Sequence, residues 1–201
     1  MVMKLRKKNK LIYGVGINDA DYAVETRVDG KRVRCPYYIT WISMLLRCYD
    51  HKYQERHPTY KGCSVCPEWI SFMNFRKWMM KQDWEGKQLD KDLLVRGNKV
   101  YSPETCIFVD RITNTFTLDC GRSRGNYLVG VHFHKPTGKF IAQCCNPFTK
   151  EQEYLGLFTC EHQAHLAWKA RKHELACQLA ELQTDPRVAA ALRTRYAEKS
   201  E

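Results

Sequence analysis

The chain has 201 residues, 44% of them hydrophobic, and this is enough apolar material for one or two small cores. No apolar run approaches the roughly 18–20 residues that a transmembrane helix needs, so the sequence predicts no membrane partner. The formal net charge of +11 and the isoelectric point near 9.2 favour a polyanionic partner such as nucleic acid, the alternative being a basic protein without one.

The cysteine content bears on the compartment of the protein. The basic N-terminal sequence MVMKLRKKNK is not followed by the apolar stretch of about 7–15 residues that a secretory signal contains. We therefore expect a cytoplasmic protein, in the host cytoplasm if the protein is viral. In that compartment the ten cysteines are expected to be thiols or metal ligands rather than disulfides.

Residues 1–12 are predicted to form a basic arm that either follows a phosphate backbone or remains solvated. Two helices are predicted after it, because apolar and aromatic residues recur at helical spacing in YYITWISMLLRCYD (37–50) and EWISFMNFRKWMMKQ (68–82). Pro67 suits the first position of the second helix, and Glu68 suits the positive end of its dipole. We expect the aromatic side chains to form a core rather than a base-stacking platform.

The segment QLDKDLLVRGNKVYSPETC (88–106) indicates a strand, a Gly-Asn turn and a second strand over Thr105–Val109. Alternation along the first strand would place Asp90 and Asp92 on one side and Lys91 on the other. Carboxylate oxygens are the ligands that hard divalent cations prefer, so the pair predicts a Mg²⁺ or Mn²⁺ site if the hairpin is catalytic.

Hydrolysis also needs a group that activates water, and no histidine lies between His57 and His132. His51 and His57, in the loop before the paired cysteines, are the nearest bases that could serve Asp90 and Asp92.

The last third of the chain predicts a three-stranded antiparallel meander. Three short runs, LVGVHF, KFIAQC and EYLGLF, are rich in β-branched and aromatic residues and are separated by strong turn sequences. Thr159 is the expected N-cap of a long helix. That helix carries an apolar stripe that should cover one face of the sheet, formed by Ala164, Trp168, Leu175, Leu179 and Leu182. A short helix follows, capped by Thr184 or Asp185 with Pro186 at its first position.

Strand alternation then divides the side chains of the sheet between two faces. The side chains expected to face the helix are Val129, Val131, Ile141 and Leu155. The open face or its rim should carry His132, His134, Lys139, Gln143 and Tyr154. A free polar face of this kind is suited to the DNA major groove.

A set of residues between 124 and 176 follows one known pattern. It comprises Gly130, Val131, Gly138, Lys139, Phe140, Ala142, residues 154–158 and the helix segment Glu161 to Trp168. In these residues the chain resembles the APETALA/ethylene-response-factor type of DNA-binding domain and its relatives in phage endonucleases. The resemblance implies that the sheet lies in the major groove of double-stranded DNA. The residues expected to bind DNA are His132, His134, Phe140, Gln143 and Tyr154, with phosphate contacts from Arg122, Arg124, Lys135, Lys139 and Lys150.

A second set, between about residues 37 and 115, includes Arg47, Cys48, Tyr49, Tyr60, Trp69, Leu89, Asp90, Lys91, Gly97, Asn98, residues 101–104, Cys106 and Asn114. Here the chain resembles phage HNH-type proteins of the homing-endonuclease kind. The resemblance implies a metal-dependent DNA endonuclease, a hydrolase, whose catalytic segment contains Asp90, Lys91, Asp92, Asn98 and Asn114. Fully equipped members of that family have histidine and asparagine where this chain has Lys91 and Thr105, so an inactive derivative is the alternative.

Cys48, Cys63, Cys66 and Cys106 are the candidate ligands of a structural zinc ion. The spacing of Cys63 and Cys66 is that of a zinc knuckle. The alternative is that the four side chains are small buried residues of a core.

Together these features predict an α+β protein: a helical and hairpin HNH-like domain over residues 13–120, then a DNA-binding domain over 121–201 with a three-stranded antiparallel sheet packed on one long helix. The expected activity is sequence-specific binding of double-stranded DNA, with metal-assisted phosphodiester hydrolysis if the HNH-like domain is active. The alternatives are an inactive DNA-binding regulator and a phage protein that binds a host protein or the ribosome.

Overall fold

The computed structural model describes residues 11–118 and 126–197. These residues form a mixture of α-helices and small, mostly antiparallel sheets, which confirms the predicted α+β class. The chain divides into two compact units, residues 1–109 and 110–201. Within the described ranges, no helix combines the length and apolar character needed to cross a bilayer.

The N-terminal unit contains short strands and helices. Its strands are β1 (Glu25–Val28), β2 (Lys31–Arg34), β3 (Ser64–Val65), β4 (Gln88–Asp90), β5 (Val100–Tyr101) and β6 (Ile107–Val109). Its α-helices are α1 (Pro36–Tyr49), α2 (His51–Arg56) and α3 (Phe72–Met79). The strands pair as β1–β2 and β4–β6, both antiparallel, and as β3–β5, which is parallel.

The core of this unit is aromatic. Trp41 and Leu45 of α1 are fully buried, as are Phe72 and Phe75 of α3. The indole Nε1 of Trp41 donates a hydrogen bond of 2.7 Å to the backbone carbonyl of Trp69, so the only polar atom of that ring is satisfied inside the core. The predicted first helix and the core role of the aromatic side chains are therefore confirmed.

The second predicted helix is interrupted. A 3₁₀ helix covers Pro67–Ile70, and α3 starts only at Phe72, with Ser71 between them as its N-cap. The cause is the distant residue Ile17, whose amide donates to Ile70 at 2.9 Å and whose carbonyl accepts from Phe72 at 3.0 Å. These bonds take up backbone groups that a continuous helix would need.

The segment from 88 to 109 is also more complex than a single hairpin. β4 pairs with β6, as predicted, but β6 begins at Ile107 rather than at Thr105. Between them, β5 leaves the pair and adds to β3 in parallel, with Val65 opposite Tyr101. A parallel partner from another part of the chain is invisible to a local pattern of strand and turn residues.

The C-terminal unit contains the predicted meander. Its elements are α4 (Arg111–Thr117), β7 (Val131–His134), β8 (Lys139–Cys145), β9 (Gln152–Phe158), α5 (Glu161–Glu181) and α6 (Pro186–Arg195). The three strands form one antiparallel sheet in the order β7-β8-β9, and α5 packs across it. Val131, Ala142 and Ala164 form the buried contact between sheet and helix.

Several details of the helices differ from expectation. Cys160, not Thr159, is the N-cap of α5, and its side chain caps no backbone amide. Leu182 lies beyond the end of α5 and is 67% exposed, so it does not belong to the buried stripe. α6 is as predicted, because the side chain of Asp185 accepts from the amide of Arg187 and Pro186 is the first helical residue.

The helix α4 is bonded to the C-terminal helices. Gln183 donates to Thr113 Oγ1 at 3.1 Å, and Arg195 donates to the carbonyl of Thr117 at 3.1 Å. The second compact unit accordingly begins at Asp110, whereas the sequence places 111–117 in the domain 13–120. The predicted junction 121–126 lies outside the described residues, except for Asn126, and so do Arg122 and Arg124.

Candidate functional site

Asp90 is the last residue of β4 and closes a tight turn. Its Oδ1 accepts two backbone hydrogen bonds, from the amide of Asp92 at 2.8 Å and from the amide of Leu93 at 2.7 Å. The strand therefore ends before Asp92, and the expected alternation of the two carboxylates along one strand is wrong. One oxygen of the proposed metal ligand is committed to the backbone.

Lys91 is buried, with 7% of its surface exposed. Its ammonium lies 3.2 Å from Asp92 Oδ2 and 5.9 Å from the centre of the Tyr101 ring. The expectation that Lys91 points away from Asp92 is therefore also wrong. A buried ammonium is stable only with a partner of opposite charge or an aromatic face, and Lys91 has both.

Asn98 fastens the loop that follows. Its amide nitrogen donates to the carbonyls of Lys91 and Val100, each at 2.7 Å, and its Oδ1 accepts from the amide of Val100 at 3.2 Å. Thr105 donates to the same Val100 carbonyl at 3.0 Å. Both side chains thus hold loop backbone in place.

The electrostatics of this segment are those of a buried, balanced cluster. Burial raises the pKa of Asp90, and the neighbouring Asp92 raises it further, while the two backbone amides and Lys91 act in the opposite direction. The guanidinium of Arg47 lies 5.5 Å from the centre of the Tyr60 ring. Tyr60 interacts electrostatically with Arg47, Lys91 and Asp90, so these three charges lie in the same part of the unit.

The other residues considered for catalysis lie outside the turn that Asp90 closes. Asn114 lies on α4, in the other compact unit. His51 and His57 are exposed, and the His57 ring lies 4.4 Å from the centre of the Tyr53 ring. Glu104 is exposed, and its pKa is lowered by a hydrogen bond from Ser102.

The four candidate zinc ligands are all buried in the N-terminal core: Cys48, Cys63, Cys66 and Cys106. Burial raises the pKa of Cys48 and Cys106 to about 12 and that of Cys66 to about 11, which favours protonated thiols. Across residues 11–118 and 126–197, no three His, Cys, Asp or Glu side chains are grouped so that they could hold a metal ion.

The sheet of the C-terminal unit has a face that α5 does not cover. Residues opposite one another on neighbouring strands point to the same face, and Val131, which is buried, pairs with the buried Ala142. The alternate set, His132 opposite Ile141 and Ile141 opposite Leu157, therefore lies on the open face.

Five of the ten predicted DNA-binding side chains share this open face. By register these are His132, His134, Lys139, Gln143 and Tyr154, and Tyr154 is 60% exposed. Lys135 lies in the β7–β8 turn and Lys150 in the β8–β9 turn, so the two lysines flank the sheet at opposite ends. Phe140 differs, because it packs against the covered core together with Phe158. Ile141, expected to face the helix, lies on the open face.

A β-bulge opposite Ala142 and Gln143 determines which side chains of β9 point to the open face. Gly156 pairs with Ala142, but the next pair is Tyr154 with Gln143, so Leu155 is the extra residue. The bulge brings Tyr154 to the open face and leaves Leu155 packed on the core side. A glycine within a strand is the sequence signal for such an irregularity, and Gly156 has a φ of +133°.

Other residues support the sheet without belonging to the open face. Three contacts fix the entry to β7 against the first turns of α5. Leu128 donates its amide to Glu161 at 2.6 Å, Val129 bonds through its carbonyl to His165 Nδ1 at 2.9 Å, and Gly130 packs against Trp168. Gly130 and the segment Glu161 to Trp168 belong to the sequence pattern, but the pattern does not reveal these contacts.

Comparison of the chain with protein-family models, with curated proteins and with solved structures gave no match. The class defined by fold and site is therefore an α+β protein with an open, polar three-stranded sheet backed by a long helix.

Proposed function

We propose that this protein binds double-stranded DNA through the open face of its β7-β8-β9 sheet. The observation that carries the proposal is the composition of that face. The strand side chains that register assigns to it are His132, His134, Lys139, Ile141, Gln143, Cys145, Gln152, Tyr154 and Leu157. None of these is a carboxylate, whereas hydrogen-bonding groups and one lysine are present, and such a surface suits the electronegative major groove.

The arrangement also separates two kinds of contact. Gln143 and Tyr154 are paired near the middle of the face, where side chains can reach base edges. Lys135 and Lys150 lie in the turns at the two ends, where they can contact phosphates on either side of a groove. Side chains at the centre of the sheet would read bases, and the lysines at its ends would position the protein on the phosphates. Binding would then be sequence-specific.

For the HNH-like segment we propose a structural role, as in a derivative of a nuclease that no longer cleaves. Asp90 closes a turn, Lys91 is buried against Asp92, and Asn98 holds loop backbone. The side chains that would bind a metal and activate water are therefore already bonded to the backbone or to each other. Activity with Mg²⁺ or Mn²⁺ is the competing proposal.

The binding test begins with selection of a preferred site from random duplexes, followed by affinity measurements on that site and on single-base variants. We expect Gln143→Ala to lower discrimination at one position by about 1–3 kcal/mol. Gln178→Ala is the matched control, since Gln178 is exposed on α5, which covers the opposite face of the sheet. If no duplex binds and one host protein copurifies after nuclease treatment, the DNA proposal is wrong.

The cleavage test uses a supercoiled plasmid carrying the selected site, with Mg²⁺ or Mn²⁺. We expect binding without nicking. Nicking that Asp90→Asn abolishes would overturn the structural role of the segment while leaving DNA binding by the sheet intact. Asn keeps a side-chain oxygen for the turn, so this variant removes charge with little loss of structure.

A further inference from the structure

The outer face of α3 forms a second positively charged surface, in the N-terminal unit. A groove of about 520 Å³ is lined by Met73, Asn74, Arg76, Lys77, Met80 and Lys81. Three of the six lining residues are cations and none is a carboxylate. We call this surface the α3 groove.

In the part of the chain that the structure describes, the cations of the α3 groove have no acidic partners. Among the ion pairs of the described residues, none involves Arg76, Lys77 or Lys81. The carboxylate of Asp19, which lies near the start of α3, accepts hydrogen bonds from Ser71 Oγ at 2.6 Å and from the amide of Met73 at 2.9 Å. Three cations lining one small groove repel one another, and an anion in the groove would relieve that repulsion.

Arg76 is held in a fixed position. Its guanidinium carbon lies 5.4 Å from the centre of the Tyr22 ring and 5.5 Å from the centre of the Tyr37 ring. Its Nε is buried without a hydrogen-bond partner. A guanidinium held by aromatic rings at the edge of a groove is suited to binding phosphate oxygens through its terminal nitrogens.

We propose that the α3 groove binds the phosphodiester backbone of nucleic acid, as a contact separate from the sheet. This inference rests on the proposed DNA-binding function. Lys77 is on α3 and Lys81 is in the turn that follows it; both line the groove and can contact neighbouring phosphates of one strand. The exposed Met80 and the half-buried Met73 offer adaptable apolar surface for the sugars.

The test is the salt dependence of DNA affinity for the double variant Lys77→Gln/Lys81→Gln. Both lysines are exposed, so we expect the thermal transition to be unchanged. Each phosphate contact contributes about 0.9 to the slope of log K against log salt, so we expect the slope to fall by about 1.8. The fall should be equal on the preferred site and on unrelated DNA, because phosphates carry no sequence information.

Two further variants serve as controls. Lys77→Arg/Lys81→Arg keeps both charges and should retain the wild-type slope. Lys52→Gln/Lys61→Gln removes two exposed charges elsewhere in the same unit and should leave the slope unchanged.

A wild-type slope in Lys77→Gln/Lys81→Gln, or an equal fall in the Lys52/Lys61 control, overturns the groove as a phosphate site. Failure of the wild-type protein to bind any DNA would instead be a failure of the proposed function.

Discussion

Asp90 and Lys91 show how residues typical of chemistry can be used for structure. The carboxylate of Asp90 takes two backbone amides at the end of β4, and the ammonium of Lys91 is enclosed beside Asp92 and Tyr101. A buried charge without such partners would cost several kcal/mol, so the cluster must be satisfied as a whole. Its members should therefore affect stability before they affect any reaction.

The first prediction concerns Asp90. Asp90→Ala removes the acceptor of two backbone amides and should lower the free energy of unfolding by about 2–4 kcal/mol, measured by urea titration. Asp90→Asn retains an acceptor oxygen and should cost less than half as much. Glu85→Ala is the control, because Glu85 is an exposed acidic residue of the same unit. Equal stability of Asp90→Ala and wild type would show that the turn does not depend on this carboxylate.

At the level of elements, the sheet and the helix α5 are joined at two places besides their buried apolar contact. The entry to β7 is fixed by Gly130, which has a φ of +79° and lies directly against the indole of Trp168. On β9, Glu153 binds Arg171 of α5 through two hydrogen bonds of 2.6 and 2.9 Å and also accepts from Asn146 at 2.7 Å. Together these contacts hold α5 against the covered face of the sheet.

The second prediction compares Gly130 with Gly138, to separate the effect of the Trp168 contact from the effect of a positive φ. A Cβ on Gly130 would overlap the Trp168 ring, so Gly130→Ala combines overpacking with an unfavourable φ and should cost about 3 kcal/mol in unfolding free energy. Gly138 also has a positive φ, +66°, but a Cβ added there would meet no atom within 4 Å. Gly138→Ala should therefore cost about 1 kcal/mol. Similar losses in the two variants would exclude the Trp168 contact as the cause.

The third prediction concerns acid stability. Arg171, and secondly Asn146, lower the pKa of Glu153 from its ordinary value of 4.5 to about 2. A lowered carboxyl pKa stabilises the folded state above pH 4.5, and this contribution is lost as the pH falls from 4.5 toward 2. Glu153→Gln should show a smaller loss of unfolding free energy over that interval than wild type. The exposed neighbour variant Glu151→Gln should follow wild type, and identical profiles for all three proteins would contradict the assignment.

For the whole molecule, the positive charge is unevenly divided between the two units. Residues 1–109 contain 20 Lys and Arg against 12 Asp and Glu, while residues 110–201 contain 13 against 10. Five of the basic residues lie in the first ten positions of the chain. If the proposed DNA binding holds, most of the electrostatic attraction should therefore come from the N-terminal part of the sequence, and base readout from the sheet.

The fourth prediction follows from this division. Replacing the five basic residues Lys4, Arg6, Lys7, Lys8 and Lys10 with glutamine should weaken DNA binding and reduce the salt slope by up to about 4.5, since each lost phosphate contact contributes about 0.9. Discrimination between the preferred site and its single-base variants should be unchanged. A normal slope would show that these charges do not contact DNA, and a change in discrimination would show that they reach base edges.

The sequence alone was sufficient for features that depend on neighbours in the chain. The helix α1, the three-stranded meander, the cap of α6 by Asp185 and the α+β class follow from periodicity, turn residues and capping, all of which act over a few residues. The polar composition of the open face was also largely readable, because alternation along a strand is a local rule.

Only the tertiary structure decided the features that depend on distant partners. The backbone bonds of Ile17 divide the second predicted helix at Ser71, and β5 pairs with β3 instead of remaining in the hairpin. The bulge opposite Gln143 determines which side chains of β9 face outward. The roles of Asp90 and Lys91 belong to the same group, because burial and hydrogen bonding, rather than residue type, determine whether a carboxylate and an ammonium are available for chemistry or are used to hold the fold.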